Sequence, residues 1–452
     1  MGGIGLGLVL LLLVVGIVLA SARWKVDAFL LLVGSALIFG LCAGLGVEGT
    51  LETIKNGFGS TLGGVGLVII FGAMIGVFLE HTGASGSIAR TMLRVVGEKR
   101  SGLSLSLTGF VVSIPVFCDS GFIVLVPLVR AIAKKVTTSS LALAVCLATG
   151  LYATHCLVPP TPGPIAAAEA LGADLGRVIL LGLPAALVLA LVGYFWAMRF
   201  ASTNIDTDLP DPQEQENAPE EHLKASDNQR APGAFRSLLP IIVPLVLITL
   251  GSLARLDSAP FGSGPLCSLI RGVGHPVFAL GLGLAFSFPL AGKGDPRMKW
   301  VAAGVTSCAM VLAVTAAGGA FGQVIRTSEL SKALQEVLGR WQAGVLVPFV
   351  LAAAIKSAQG SSTVSLITTA AIMQPLLEPL GLAGSEWGPA LAVVAIGCGS
   401  MTVSHANDSY FWVVSQMAGI PVPSAYRAYT TATALMGFTG ALITLGMAAL
   451  LL

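Results

Sequence analysis

The chain has 452 residues, of which 55% are hydrophobic and only 11% charged, with a mean hydropathy of +0.87; soluble domains run at roughly 45–50% apolar and about 25% charged. Such a chain cannot cover itself with water-seeking groups, which excludes an ordinary soluble domain. A net charge of +2, with no basic stripe interleaved with aromatics, excludes a nucleic-acid partner. Lipid is the expected solvent.

Apolar runs long enough to cross about 30 Å of hydrocarbon at about 1.5 Å per residue are expected at 2–22, 27–46, 62–80, 139–157, 175–198, 237–254, 272–291, 300–318, 388–403 and 428–452. Ala20-Ser21-Ala22 looks like a cleavage site, yet no Lys or Arg precedes the first run, so it is expected to be retained. The segments 102–133 and 343–377 are too long for one crossing and too short for two.

Cation placement addresses that ambiguity, because loops on the cytoplasmic side carry excess Lys and Arg. Arg23 and Lys25 put the first linker inside, and Arg90, Arg94, Lys99 and Arg100 do the same for the exit of the third span. Lys134 and Lys135 place the end of 102–133 on that face too, so this segment reads as a re-entrant hairpin. The acidic, proline-containing stretch 199–236 reads as a cytoplasmic linker. After it the order recurs, with 343–377 as the second hairpin.

The expected fold is therefore an all-α polytopic membrane protein of two inverted repeats, 1–198 and 237–452, each with five transmembrane helices and one hairpin. Inversion follows from the odd number of crossings per half, and both termini fall on the periplasmic or extracellular side. Lys293, Arg297 and Lys299 agree with this orientation, whereas Arg255 and Arg271 do not. The seven cysteines are scattered, without metal-ligand spacing, and read as buried small hydrophobes. No metal or cofactor is expected.

Interrupted hydrophobic segments at matching places in two repeats are the best sequence pointer to a midplane substrate site. Irregular backbone at that depth needs protein or a water-filled cavity to satisfy it. The first interruption is Ile114-Pro115-Val116-Phe117-Cys118-Asp119-Ser120-Gly121. A carboxylate there costs roughly 2.5–3.5 kcal/mol at a helix centre, so Asp119 is either functional or a cap for the returning helix. The second, Lys356-Ser357-Ala358-Gln359-Gly360-Ser361-Ser362-Thr363, offers a donor-rich helix start suited to a carboxylate; Lys356 can bind ligand, snorkel, or pair with Asp119 or Asp408.

The third interruption runs from Thr154 and His155 through Pro159, Pro160, Thr161, Pro162 and Pro164, where four prolines in six residues break the helix. The fourth, Ser404-His405-Ala406-Asn407-Asp408-Ser409, holds the matching place. Candidate substrate ligands are Asp119, Ser120, Gly121, Thr154, His155, Thr161, Gln359, Gly360, Ser361, Ser362, Thr363, His405, Asn407 and Asp408. An imidazole titrates near pH 6.5 when unperturbed, so His155 or His405 can carry a coupling proton, as can Asp119 or Asp408.

Gly72-Ala73-Met74-Ile75-Gly76 reads as a helix-packing pattern. Gly83-Ala84-Ser85-Gly86 resembles a rhomboid-type serine motif but is expected in a polar loop, which leaves intramembrane hydrolysis a remote reading. No phosphate-cradling loop or zinc-protease helix is present.

Several strings resemble the gluconate permease family, sugar-acid:proton symporters of the ion transporter superfamily. They are Ile114-Pro115-Val116-Phe117 with Asp119 and Gly121, Pro159-Pro160 with Pro162-Gly163-Pro164, and Gly172-Ala173-Asp174-Leu175-Gly176. Ala358-Gln359-Gly360-Ser361 with Thr363-Val364, and Ser404-His405 with Asn407-Asp408 and Phe411-Trp412, complete the set. The resemblance spans nearly the whole chain.

It implies proton-coupled uptake of gluconate or a related hydroxy acid across the inner membrane, by a homodimer whose scaffold holds an elevator-like domain containing both hairpins. Thr161 stands where many gluconate carriers have His, and Lys356 where Arg is common. The family also includes carriers resembling glycerate and D-serine permeases, which keeps another small carboxylate or amino acid open. Sodium-using relatives carry Ser-Asn-Thr at the hairpin tips; neither tip here does, which favours protons.

Overall fold

The computed structural model describes residues 3–97, 100–201, 231–256, 261–262, 264–328 and 344–452. Most of the 199–236 linker, Lys99 and the first residue of 343–377 lie outside the described residues. All regular structure among the described residues is helical.

The chain begins with α1 (Gly3–Trp24), then α2 (Ala28–Cys42), whose first turn is capped by Asp27 accepting from Phe29 N at 2.8 Å. Next comes α3 (Gly46–His81), 36 residues long, and the amphipathic α4 (Ala84–Val96). Two short helices, α5 (Ser101–Val112) and α6 (Cys118–Ala133), flank a break. Then α7 (Ser140–Leu157), a second break, and α8 (Pro162–Leu171) lead into α9 (Leu175–Trp196), which ends in a π-helical turn, Ala197–Ala201.

The second part opens with α10 (Ala234–Leu253), α11 (Pro265–Val273) and α12 (Pro276–Ser287). The 30-residue α13 (Arg297–Arg326) follows. Then α14 (Leu346–Gln359) and α15 (Ser362–Met373) flank a third break, and α16 (Gly388–Ser400) and α17 (Ser409–Met417) a fourth. A single turn, α18 (Val422–Ala425), and a π-helical turn, Tyr426–Thr430, run into α19 (Thr431–Leu451).

Among the described residues six helices are long and apolar enough to cross a bilayer, or seven if the pair bent by 62° at Pro265–Val273 and Pro276–Leu290 is one span. This corrects the expected ten. The run 27–46 yields a helix of 15 residues, 272–291 one of 12 and 388–403 one of 13, because glycines, prolines and polar turns end each before it reaches about 20 residues. Conversely, 62–80 is only the C-terminal half of α3 and 300–318 only the N-terminal two thirds of α13. Ser85 also lies in the first turn of α4, not in a loop; its buried hydroxyl donates to Leu79 O at 3.4 Å.

Both hairpin expectations meet helix–break–helix pairs. The arms α5 and α6 have 12 and 16 residues, about 18 and 24 Å of helix, so neither arm alone spans the hydrocarbon. The arms α14 and α15 have 14 and 12.

Packing arranges these breaks around two fully enclosed helices. Every residue of α7 from Leu141 to Leu157 is buried, as is almost all of α16. Glycines permit the contact: a Cβ on Gly109 would meet Leu147 O at 2.6 Å, and one on Gly399 would collide with Phe349 O. Hence α5 lies backbone to backbone on α7, and α14 on α16. The long helices α3 and α13 cross through Gly57, whose Cβ would sit 2.9 Å from Ala320 Cα. Exposed Leu8, Leu11, Leu12, Leu30, Ile38, Phe278, Phe438 and Leu442 give the outside an apolar surface, as lipid solvation requires.

Candidate functional site

The α14–α15 break is a two-residue turn, Gly360-Ser361. Gly360 adopts φ +84°, ends α14 by donating its N–H to Lys356 O at 2.8 Å, and hands the chain to Ser361. Ser361 caps α15, accepting from Val364 N at 3.3 Å. A Cβ on Gly360 would collide with Asn407 O, so the tip touches the α16–α17 break backbone to backbone. Asn407 Nδ2 reinforces the junction by donating to Ser357 O at 2.6 Å.

Two charges sit at this junction. Lys356 Nζ lies 2.6 Å from Asp408 Oδ2, with side-chain exposures of 0% and 3%, and donates to Gly360 O at 2.6 Å. The Tyr152 ring lies below it, centroid 5.8 Å from Nζ. Of the partners open to Lys356, the structure selects Asp408. The carboxylate is satisfied on every side: Ser404 Oγ and Tyr152 OH donate to Oδ2, the latter at 3.4 Å, and Tyr410 N donates to Oδ1 at 3.1 Å, making Asp408 the N-cap of α17. A buried ion pair is stable only with such supporting bonds.

On the other side lies the α5–α6 tip. Asp119 falls in the first turn of α6 within electrostatic reach of Asp408 and Lys356. Its Oδ2 receives the Cys118 thiol at 3.8 Å, while its buried Oδ1 has no partner among the described residues. The capping alternative thus describes Asp408, not Asp119. His155 closes the space: Nε2 is 3.4 Å from Thr363 Oγ1, the ring packs on Phe117 at 5.8 Å between centroids, and Nδ1 is unpartnered. Gln359 Oε1 and Nε2 and Asn407 Oδ1 are also buried without partners.

The other candidates divide. Thr161 turns its hydroxyl back onto His155 O (3.0 Å) and Val158 O (2.7 Å), fixing the α7–α8 turn at the cis Pro159-Pro160 bond. Thr154 donates within its helix to Gly150 O at 3.5 Å. Ser120, partly buried, and Ser362, buried, stand at the first turns of α6 and α15. A Cβ on Gly121 would meet Leu151 Cδ2 at 2.8 Å, seating α6 on α7. His405 is half-buried, and its carbonyl accepts from Asp408 N at 2.8 Å. The string 172–176 is a joint, not a ligand set: Asp174 caps α9 through Arg177 N at 3.0 Å and pairs with Arg255 at 3.5 Å.

Sequence reasoning missed Tyr152, Ser404, Tyr410 and Tyr429. The rings of Tyr152 and Tyr410 pack tilted at 5.2 Å between centroids, and those of Tyr410 and Tyr429 edge to face at 5.9 Å. The available signal was rarity: the chain has five tyrosines, and four of them, with Tyr426 against Phe411, gather here. The Gly72-to-Gly76 pattern does serve helix contact. A Cβ on Gly72 would meet Pro160 O at 2.8 Å and one on Gly76 would meet Pro115 O at 2.5 Å, so α3 seats the α7–α8 and α5–α6 breaks together.

Known proteins carry the same plan. A Haemophilus influenzae permease is 35% identical, over 91% of this chain and 85% of its own. A Pseudomonas aeruginosa gluconate permease is 31% identical, over 95% of this chain and 94% of its own, and the Escherichia coli K12 D-serine transporter DsdX is also 31% identical, over 94% of each chain. Neisseria gonorrhoeae MtrF, described as one of a class of antimetabolite efflux pumps, shares the fold at a TM-score of 0.65 and 14% identity, over 94% of this chain and 96% of its own. These relatives are permeases and transporters, not enzymes. Residues 6–451 match the GntP family permeases, and this multi-pass membrane protein belongs to that family.

Proposed function

We propose that the chain is a secondary active transporter that imports gluconate or a related hydroxycarboxylate by proton symport across the inner membrane. The observation that carries this reading is a set of buried polar atoms on residues at or beside the breaks that have no partner among the described residues: Asp119 Oδ1, His155 Nδ1, both ends of Gln359 and Asn407 Oδ1. Buried polar groups are normally paired, and a polyhydroxy acid supplies both donors and acceptors for them. Its carboxylate meets the helix starts at Gly360–Thr363 and Ser120–Gly121, where N–H groups and the helix dipole favour an anion. Its hydroxyls meet Asn407 and Gln359. Asp119 carries the proton in this reading, because Asp408 is held in an ion pair by Lys356 whereas Asp119 Oδ1 has no partner among the described residues.

The recurring order supports halves of inverted topology, 1–198 and 237–452, around the cytoplasmic linker 199–236, with both termini outside: α5–α6 matches α14–α15, and α7–α8 matches α16–α17. In the same reading a scaffold holds a domain with both hairpins that moves as an elevator, in a homodimer. The D-serine transporter at 31% identity favours a second reading, in which Asp119 meets a substrate ammonium. A binding screen of three- to six-carbon hydroxy acids and D-serine at two pH values tests the proposal. Gluconate binding that strengthens at the lower pH is expected; binding of D-serine alone supports the second reading, and binding of neither overturns both.

A further inference from the structure

We propose that Lys356 is a built-in cation, occupying with its own ammonium a position where a free monovalent cation would otherwise bind. Broken membrane helices hold cations with unwound backbone carbonyls and helix C-terminal ends, and a charge in that position is further matched by a carboxylate; the ligands around Nζ are one of each. Gly360 O comes from the unwound residue ending α14, at 2.6 Å, and Asp408 Oδ2 from the cap of α17, also at 2.6 Å. The Tyr152 ring lies 5.8 Å away, in reach of a cation–π attraction, and the side chain is wholly shut off from solvent.

The ammonium therefore links two elements that are distant in sequence, the turn at 360 and the break before Ser409. An ion arriving from solution would have to bind to do so. With the charge tethered, the junction is closed whether or not salt is present. The ligand class belonging to this position is a small monovalent cation or a primary alkylammonium. The inference concerns the junction itself and not the substrate; it stands or falls apart from the transport reading above.

The test is thermal unfolding of the purified full-length protein in sodium, lithium, choline or propylammonium chloride, for the wild type, Lys356→Ala and the double variant Lys356→Met with Asp408→Asn. Propylammonium replaces the atoms that Lys356→Ala deletes. The wild type should melt alike in all four salts. Lys356→Ala should melt lower in choline and regain about 3 °C or more in propylammonium or sodium, as a ligand bound only by the folded state requires. The neutral double variant should be stable and indifferent to salt. If Lys356→Ala survives purification only in propylammonium or sodium, that also supports the proposal. Loss of Lys356→Ala in every salt, stability equal to the wild type in choline, or a double variant as weak as the single, would overturn it.

Discussion

Lys356 Nζ lies 2.6 Å from Asp408 Oδ2 with both side chains closed to solvent, so the last turn of α14 is locked to the N-cap residue of α17. Removing one member leaves the other charge buried and unmatched, at a cost of about 3–5 kcal/mol. Lys356→Met and Asp408→Asn should each lower stability by that order, and combining them should recover most of it. A double-mutant cycle of detergent melts measures the coupling; additive losses would show that the pair is not what joins the two breaks.

Gly360 sits at φ +84° with Asn407 O where a Cβ would go. Gly360→Ala has to strain the backbone and push the two breaks apart, so substrate affinity should fall by at least about tenfold, roughly 1.4 kcal/mol, while the folded protein persists. Titration with the best ligand from the hydroxy-acid screen reads this directly. Unchanged affinity would separate the tip from the site.

Gly76 and Gly66 make a matched pair on α3. A Cβ at 76 meets Pro115 O at 2.5 Å, whereas one at 66 meets nothing within 4 Å. Gly76→Ala should cost about 1–3 kcal/mol through overpacking and slow uptake, with Gly66→Ala near neutral in both. Melting curves and initial uptake rates distinguish them.

Asp119 retains one oxygen without a partner beside the ion pair. If it carries the proton, Asp119→Asn should abolish accumulation driven by a proton gradient yet permit exchange of labelled for unlabelled substrate across proteoliposomes. Loss of both activities would assign it to substrate binding instead, and retention of both would remove it from the mechanism.

How far these features can be read from sequence differs by element. The four breaks are legible, because Pro115, the prolines from 159 to 164, Gly360 and the polar run 404–409 cannot continue a helix in an apolar chain. Asp119 and Asp408 are legible because charge in lipid is costly. Span lengths are not: nothing in the hydropathy of 27–46 or 388–403 shows that caps and turns stop those helices at 15 and 13 residues. Nor does sequence decide between two acidic partners for Lys356, since that depends on α16 lying against α14 through Gly399. The Tyr152 hydroxyl reaches Asp408 and the Tyr410 hydroxyl reaches back to Ala148 O, and only the packing of α7 beside α17 brings these groups together.

The central claim, proton-coupled import of a hydroxycarboxylate, is tested most directly by uptake of labelled gluconate into proteoliposomes under an imposed inward proton gradient, with sodium present or replaced. Accumulation above the external concentration is expected, collapsing when a protonophore is added and unaffected by sodium. Uptake that follows sodium and is indifferent to the proton gradient would contradict it, as would failure of any sugar acid or hydroxy acid to move.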